Sequence, residues 1–507
     1  MLPVLERRVA GAHAAPRRRR LRFLAAPLLA AAVAVVPAAT GQATSPPPGL
    51  HLIVGMHHVD VQRYGADQPD LFFPAAVYVA STHGAFEIDP VKQGGHVTLW
   101  QVRRTPSGVT RLRRIVPLSP VHMDQGLPGF FRMTLRNSDG KVVTRTTQAF
   151  CPTGDFGGSR VDATGPDNPT YPYYCGSSIT RATIWGIDQG WAEPIYSDLP
   201  VTSTVAPDGN YTLTIRIDPS YVHQLHLGGH ASVATLDLTV TTASPEPCPP
   251  KIVCGRSALA RRVAAGRTEA PAGGRGFAVA TAPGGLPDLA ALPARDLRVE
   301  HNADDGHDYL DFAATIWNRG PGPMDVEGFR RGDTPTMVAT QFIYRNGRSV
   351  RSAVIGKFEF DTRPGHNHWH LQDFAQYDVL SLNGDRLVRS SKQSFCLAPT
   401  DPINLTLPGA LWQPDKVGLF SACPSDQSIW LRETLPAGWG DTYVQGVAGQ
   451  SFDITGLANG KYLIRVTTNP FFRILETTFN NNTSLVKIRL GGDPGARTVQ
   501  RLGVVAN

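Results

Sequence analysis

The amino-acid sequence predicts an all-β protein with two tandem β-sandwich-like domains, a Pro/Gly/Ala-rich linker and few helices. The chain has 507 residues, including 50 Gly and 42 Pro, so its length supports two or three domains and its composition is rich in turns. The sequence shows no long amphipathic helical period. Short apolar runs bounded by Gly, Pro, Asn or Asp predict strands, among them His51–Val54, Ala76–Ala80, His96–Val102, Tyr211–Ile217 and Val233–Val240.

Changes in composition divide the chain into a leader, two β-rich domains, a linker and a tail. The leader has a run of arginines, then an apolar core from Phe23 to about Val36, then small residues, which is the pattern of an export signal. Because the apolar core is short for a membrane span, a retained anchor is only the alternative interpretation. The predicted bounds are 1–43 for the signal peptide, 44–245 for the first domain, 246–285 for the linker, 286–492 for the second domain and 493–507 for the tail.

The net charge of +7 is concentrated in the leader. Residues 1–43 hold seven Arg and one Glu, so the rest of the chain has a net charge of only +1. A nucleic-acid-binding protein needs cations clustered along one face. The sequence therefore predicts no nucleic-acid partner, and no membrane partner once the signal is removed.

Six cysteines are consistent with export into an oxidising compartment, and the expected location is extracellular. Their order along the chain favours bridges between neighbours, although spacing alone leaves the connectivity open. The expected pairs are Cys151 with Cys175, Cys248 with Cys254, and Cys396 with Cys423.

Three histidines, His366, His368 and His370, alternate with Asn367 and Trp369 in the second domain. Side chains of a strand alternate between its two faces, so the three imidazoles are predicted to point the same way and converge on one ion. Three nitrogen donors that leave other coordination positions open suit catalytic copper or zinc. The alternative is a strand with surface histidines. We favour the metal site because the three fall within five residues.

The two β-rich domains resemble each other, which predicts a tandem duplication. Shared turn chemistry accounts for their Gly-Tyr strands, but not for Gln-x-Phe-Cys followed by a second Cys and Gly-Trp. The first copy has only His122 where the second has alternating histidines, and it has Thr147 in place of Lys392. The first copy is therefore predicted to be a degenerate structural or binding domain. The paired segments are 147–151 with 392–396, 190–191 with 438–439, 208–213 with 459–464, and 218–219 with 469–470.

The second domain resembles the lysyl oxidase family, and in detail a bacterial member of it. The resemblance covers roughly 200 residues, the size of a domain. The motifs that carry it run in family order: Leu286-Pro287-Asp288-Leu289, His366-Asn367-His368-Trp369-His370, Phe374 to Leu380, Ser391-Lys392-Gln393-Ser394-Phe395-Cys396-Leu397, Gly440-Asp441-Thr442-Tyr443, Asp453-Ile454-Thr455, Gly460-Lys461-Tyr462, and Glu476 to Asn482.

The resemblance implies an exported copper-dependent amine oxidase of the protein-lysine 6-oxidase type. In this family a lysine and a tyrosine cross-link into the cofactor lysine tyrosylquinone. Carried over, Lys392 and Tyr443 are those partners, and His366, His368 and His370 hold Cu(II). The implied substrates are O₂ and primary amines, foremost peptidyl lysine but also small amines. The implied products are an aldehyde, hydrogen peroxide and ammonia.

The resemblance also implies a calcium site that lacks one of its usual anions. Asp288, Glu476, Asn481 and Asn482 keep oxygen ligands, whereas Thr478 replaces a carboxylate, and fewer anionic ligands weaken calcium binding.

Two other functions stay open. One is a copper-binding protein without the quinone, for metal storage or electron transfer, and the other is a secreted adhesion or scaffold protein. The first domain is expected to bind substrate, a cell-surface polymer or the catalytic half.

Overall fold

The computed structural model describes residues 49–64, 70–74, 76–106, 108–154, 158–243, 284–330, 334–362, 368–392, 394–424, 426–447 and 449–505. Within these ranges the regular secondary structure is almost entirely β-strand, with a single seven-residue α-helix, so the prediction of an all-β fold with few helices is confirmed. The predicted signal peptide, nearly all of the linker, and Cys248 and Cys254 lie outside these ranges. No helix in the described part of the chain is long and apolar enough to cross a bilayer.

The first block of the fold covers the described residues from 49 to 243. Its helix is α1 (Pro219–Leu225), followed by a short 3₁₀ helix (His230–Ser232). In chain order its strands are β1 (Leu50–Val54), β2 (His58–Tyr64), β3 (Leu71–Phe73), β4 (Val77–Ser81), β5 (Phe86–Gln93), β6 (His96–Thr105), β7 (Gly108–Ile115), β8 (Leu127–Asn137), β9 (Val142–Phe150), β10 (Ser159–Arg160), β11 (Trp185–Ile187), β12 (Trp191–Pro194), β13 (Ser197–Leu199), β14 (Gly209–Ile217) and β15 (Val233–Ala243).

The second block covers the described residues from 284 to 505 and includes a 3₁₀ helix (Pro414–Val417). In chain order its strands are β16 (Leu289–Ala291), β17 (Arg295–Asn302), β18 (His307–Asn318), β19 (Met324–Phe329), β20 (Thr336–Arg345), β21 (Arg348–Asp361), β22 (His368–Gln372), β23 (Ala375–Leu380), β24 (Arg386–Arg389), β25 (Ser394–Phe395), β26 (Asp401–Pro402), β27 (Trp430–Leu435), β28 (Trp439–Tyr443), β29 (Ser451–Asp453), β30 (Gly460–Thr468), β31 (Thr483–Gly491) and β32 (Thr498–Val505).

Three sheets of the first block have counterparts with the same strand order in the second block. The orders β1-β4-β12-β10, β7-β6-β5-β11 and β2-β15-β14-β8-β9 correspond to β16-β18-β28-β26, β21-β20-β19-β27 and β32-β31-β30-β23-β24. The edge strands differ in direction, because β2 runs parallel to β15 whereas β32 runs antiparallel to β31. The predicted tail at 493–507 thus includes a strand that extends a sheet.

Alternating apolar residues explain why these segments form half-buried strands. In β14, Tyr211, Leu213 and Ile215 face inward and are at most 6% exposed, and Ile464 and Val466 of β30 are fully buried. Each block gathers such side chains into its own large apolar cluster. Burial of this kind contributes about 25 cal/mol per Å² of apolar surface and is the main force that holds the sheets together.

The backbones of the two blocks meet directly. The Arg181 N–H donates to the Ile403 carbonyl at 2.7 Å. The Leu405 N–H donates to the Ala182 carbonyl at 2.9 Å. Because β26 pairs with β28, this contact lies one strand away from the strand that carries Tyr443.

Side chains extend the same contact. The rings of Tyr171 and Trp412 stack with centroids 5.4 Å apart, and Gln413 Nε2 donates to the Tyr171 carbonyl at 2.6 Å. The Arg181 guanidinium lies 5.2 Å from the centre of the Trp317 ring. The first block therefore packs against the second block through aromatic rings as well as hydrogen bonds.

Two of the three expected disulfides are confirmed, Cys151–Cys175 in the first block and Cys396–Cys423 in the second. They close segments with sequence separations of 24 and 27 residues. A bridge over such a distance stabilises a fold by about 3 kcal/mol, because it restricts the conformations open to the unfolded chain.

Candidate active site

Two of the three predicted copper ligands lie on strand β22. His368 and His370 are two positions apart, so their rings share one face of the strand, while Trp369 between them is buried in the core. The two Nε2 atoms are 2.9 Å apart. The third predicted ligand, His366, lies outside the described residues.

Neighbouring polar groups orient the His370 ring. Its Nδ1 lies 3.2 Å from Asp361 Oδ2 and 3.2 Å from Ser394 Oγ. A carboxylate at this position accepts the Nδ1 proton, and the lone pair then stays on Nε2, the atom that faces His368. The local hydrogen bonds thus favour the tautomer of His370 that can bind a metal.

The donor set fits a cupric ion. Two nitrogen atoms 2.9 Å apart, each about 2.0 Å from a shared ion, subtend an angle of about 90° at that ion. Neighbouring ligands of tetragonal Cu(II) make an angle of this size, so the two nitrogens can serve as two of its ligands. Among the described residues, the other group close enough to hold an ion is Cys396, Cys423 and Glu433, and its two sulfur atoms are already joined in a disulfide.

Lys392 and Tyr443 are far apart in sequence and adjacent in the fold. Lys392 Nζ lies 4.5 Å from the centre of the Tyr443 ring and 5.3 Å from the centre of the Phe395 ring. The lysine is fully buried, and Tyr443, at the end of β28, donates its hydroxyl proton to the Cys396 carbonyl at 2.9 Å. The two residues predicted to form the cofactor are therefore neighbours.

Strand β25 connects this pair to the histidines. Its two residues point to opposite faces, as successive strand residues do. Ser394 contacts His370, whereas the Phe395 ring packs edge-on against the Tyr443 ring with centroids 4.9 Å apart. Because β25 pairs with β22, the metal-binding face and the Lys392–Tyr443 pair are held by one short piece of sheet.

Sequence reasoning missed Asp441, which lies two residues before Tyr443 on the same face of β28. Its Oδ2 atom is buried and has no hydrogen-bond partner. Burial raises the pKa of Asp441 well above its ordinary value, and the nearby Lys392 charge opposes this shift only in part. The motif Gly440-Asp441-Thr442-Tyr443 contained the signal, since a period of two puts the carboxyl and the phenol side by side.

Glu433 on β27 is a second carboxyl that the sequence did not reveal. It is fully buried and accepts the Leu397 N–H at 2.9 Å, and burial raises its pKa well above the ordinary value. Burial, followed by the charges of Asp441 and Glu433, also raises the pKa of Tyr443 well above its usual range. The phenol is therefore neutral at neutral pH. No local pattern marks Glu433, because its neighbours come from distant strands.

The four predicted calcium ligands also come together. Asn481 Nδ2 donates to Asp288 Oδ1 at 3.0 Å, and Asn482 Nδ2 donates to Glu476 Oε1 at 2.8 Å. The Leu289 N–H donates to Glu476 Oε2 at 2.9 Å. The Oδ1 atoms of Asn481 and Asn482 are buried without hydrogen-bond partners. In this arrangement amide groups engage both carboxylates, and two amide oxygens remain as acceptors.

Residues 335–409 and 420–499 match the family model described as lysyl oxidase. Over these segments of the second block the chain is similar to the lysyl oxidase family. The matched residues include both halves of the site, the histidines of β22 and the pair of Lys392 and Tyr443. The motifs that suggested the family in the sequence lie mostly within the same matched segments.

Curated relatives agree with this assignment. Lysyl oxidase homolog 4 of Homo sapiens is 29% identical over 151 residues, which cover 30% of this chain and 18% of that protein. Lysyl oxidase homolog 2 of Homo sapiens is 30% identical over 151 residues, again 30% of this chain and 18% of the relative. Lysyl oxidase homolog 3A of Danio rerio is 30% identical over 148 residues, 27% of this chain and 18% of the relative. The similarity thus spans less than a fifth of each relative.

Proposed function

We propose that this chain is an exported copper-dependent amine oxidase that converts primary amines, foremost the ε-amine of peptidyl lysine, to aldehydes. The amine, O₂ and water are consumed, and hydrogen peroxide and ammonia are released with the aldehyde. The observation that carries the proposal is the 4.5 Å distance between Lys392 Nζ and the centre of the Tyr443 ring. The similarity of the second block to the lysyl oxidase family supports the same reaction.

In this proposal Lys392 and Tyr443 form lysine tyrosylquinone, and His366, His368 and His370 hold the copper. Copper supplies one-electron chemistry with O₂ while the quinone forms, and the quinone supplies the carbonyl that takes two electrons from the amine. The protein supplies orientation and proton transfer. Asp361 fixes the His370 ring, and Phe395 packs against both Lys392 and Tyr443 and shields them from water.

Asp441 is the proposed proton acceptor of the site. Lysine attacks the ring only as a free amine, so its ammonium group must first lose a proton. Asp441 is buried near Lys392, and its raised pKa brings it closer to the operating pH, where a general base is most effective. In the proposal the same carboxylate also accepts a proton from the substrate amine.

Amine-dependent release of peroxide tests the proposal. Copper-loaded wild-type protein should release peroxide with a lysine peptide or a small primary amine, and Lys392→Ala should reduce the release to background. Lys461→Ala removes an exposed lysine and serves as the matched control. Unchanged turnover in Lys392→Ala overturns the proposal. If the wild type binds copper but releases no peroxide, the result supports the alternative function of a copper-binding protein without the quinone. If it neither binds copper nor releases peroxide, the result supports an adhesion or scaffold protein.

Calcium is the second metal of the proposal, held by Asp288, Glu476, Asn481 and Asn482. Two buried amide oxygens without partners support it, because calcium prefers oxygen ligands. A ligand that binds only the folded state raises the unfolding temperature. Millimolar calcium should therefore raise the unfolding temperature relative to EGTA, and an unchanged temperature removes calcium from the account.

Export is proposed from the leader and the disulfides. The leader has the arginine-rich, apolar pattern of a signal, and two bridges form in the described residues, as expected for an oxidising compartment. N-terminal sequencing of protein recovered from the culture medium tests this, and a mature end after the leader is expected. A cell-surface polymer remains a proposed partner of the first block.

A further inference from the structure

A cleft in the first block lies where the second block has its Lys392–Tyr443 site. Its volume is about 510 Å³, and the end of β9, the Cys151–Cys175 bridge and β12 form its walls. The corresponding elements of the second block are the segment 392–396, the Cys396–Cys423 bridge and β28. The cleft is therefore the first block's version of the same site.

The substitutions at this position remove the reactive pair and keep the acid. Thr147 corresponds to Lys392. Ile195 directly follows β12, four residues after Trp191, and corresponds to Tyr443, which ends β28 four residues after Trp439. Two residues before Ile195 stands Glu193, at the place of Asp441, and it is only 7% exposed. The cleft thus lacks a built-in lysine and tyrosine but retains a buried carboxyl group.

Acceptor groups dominate the polar part of the cleft. Gln148 Nε2 donates to the Tyr196 carbonyl at 2.7 Å, which fixes the amide, and its Oε1 is buried without a hydrogen-bond partner. Asp124 adds an exposed carboxylate, and none of the described lining residues is Lys or Arg. A site with these groups attracts a hydrogen-bond donor with positive charge.

Aromatic rings complete the wall. Tyr173, Tyr174 and Tyr196 line the cleft, and Tyr174 and Tyr196 are 52% and 47% exposed. Rings of this kind attract cations over their faces, and they pack against the aliphatic stem of a long side chain. The Tyr173 hydroxyl also donates to Asp415 of the second block at 3.4 Å, which brings a further carboxylate to the rim.

We propose that this cleft of Asp124, Gln148, Tyr174 and Glu193 binds the primary ammonium group of a lysine side chain without oxidising it. The chemistry of the cleft selects the ammonium group. That the lysine belongs to a substrate of the oxidase rests on the proposed function. A polymer with many lysines would then be held at one position while another lysine is oxidised. Such two-point attachment raises the effective concentration of the polymer at the second site.

Binding is measured on the full chain with Lys392→Ala, so that no amine is consumed. The probe is Nα-acetyl-lysine amide in a calorimetric titration, and Nα-acetyl-norleucine amide is its neutral counterpart. The lysine probe should bind and the norleucine probe should not. Adding Asp124→Asn and Tyr174→Ala, both at exposed positions, should lower the affinity for the lysine probe about ten-fold, because a charge and an aromatic contact are lost together.

Asp139→Asn is the matched control, since Asp139 is exposed in the same block but does not line the cleft. Equal affinity in the cleft variant and the Asp139→Asn control overturns the proposal, as does equal binding of the norleucine probe. With Lys392 intact, the cleft variant should keep wild-type turnover of a small amine but show a raised KM for a lysine polymer. Absence of peroxide from the wild type would refute the proposed oxidase while leaving the binding result to decide on the cleft.

Discussion

At the scale of single residues, Asp441 determines how its neighbours titrate. Its carboxyl group lies on the same face of β28 as Tyr443, and its charge raises the pKa of both Tyr443 and Tyr377, after burial as the larger cause. Burial also raises the pKa of Asp441 itself. A buried acid beside an amine and a phenol is costly for folding, so its presence here indicates a chemical role.

Asp441→Asn separates that role from stability. The unfolded chain releases the Asp441 proton at about pH 4, whereas the folded chain holds it to a higher pH. Ionisable Asp441 therefore lowers the free energy of unfolding as the pH rises through the raised pKa, and Asn does not. The variant should unfold at a higher temperature than wild type at pH 7, with little difference below pH 4, and should lose about 10²- to 10⁴-fold in peroxide release.

Calorimetry and a peroxide assay measure the two effects of Asp441→Asn. The exposed Asp493→Asn is the control and should change neither. Wild-type peroxide release by Asp441→Asn would exclude the carboxyl group from the chemistry. A lower unfolding temperature than wild type at pH 7 would contradict the raised pKa.

At the scale of elements, a buried ion pair ties together three neighbouring strands of the second block. Arg432 of β27 donates from Nε and Nη2 to both carboxylate oxygens of Asp325 on β19, at 2.8 and 2.6 Å. The hydroxyl of Tyr344 on β20 donates to the same carboxylate at 2.6 Å. All three side chains are at most 2% exposed. This network fixes strand β27, which also carries Glu433.

Arg432→Ala should lower the free energy of unfolding by about 3–5 kcal/mol, because Asp325 is left charged and buried without its partner. Urea unfolding followed by tryptophan fluorescence measures the loss. The double variant Arg432→Ala and Asp325→Ala should cost less than the sum of the single variants. Arg489→Ala, at an exposed position of β31, should cost under about 0.5 kcal/mol. A similar loss in Arg432→Ala and Arg489→Ala would contradict the account.

Much of the strand pattern followed from local sequence. His96–Val102 and Tyr211–Ile217 lie within β6 and β14, because their apolar residues alternate and turn residues bound them. The sequence did not predict helix α1, because seven residues are too few to show a helical period of apolar residues. Its start was nevertheless marked by Asp218, which caps Ser220 N–H, and by Pro219 in the first turn.

At the scale of the whole molecule, the two blocks form a continuous structure through the segments around Arg181 and Ile403. The sequence predicted a repeat but could not predict this contact, because it joins residues more than 200 positions apart. Glu433 was not predicted either, because its neighbours come from distant strands. The pairing of Lys392 with Tyr443 was predicted from the family resemblance and not from their spacing. Only the histidine pair on β22 followed from local periodicity alone.

Cleavage of the linker tests the contact between the blocks. A protease site placed between residues 258 and 283 should, once cut, leave two fragments that elute together in size-exclusion chromatography. Arg181→Ala with Trp412→Ala removes two aromatic contacts of the interface and should let the cut fragments separate. Separation of the unsubstituted fragments would show that the contact does not hold the blocks together in solution.

Mass spectrometry of the copper-loaded protein, after reduction, alkylation and trypsin digestion, detects the bond between Lys392 and Tyr443 directly. A bond between Lys392 and Tyr443 blocks cleavage at Lys392 and joins the peptide Ser390–Lys416 to the peptide Glu433–Lys461. The linked species is expected in wild type after incubation with copper and O₂, and it should be absent from Lys392→Ala. Two separate peptides in the copper-loaded wild type, with cleavage after Lys392, would contradict this expectation.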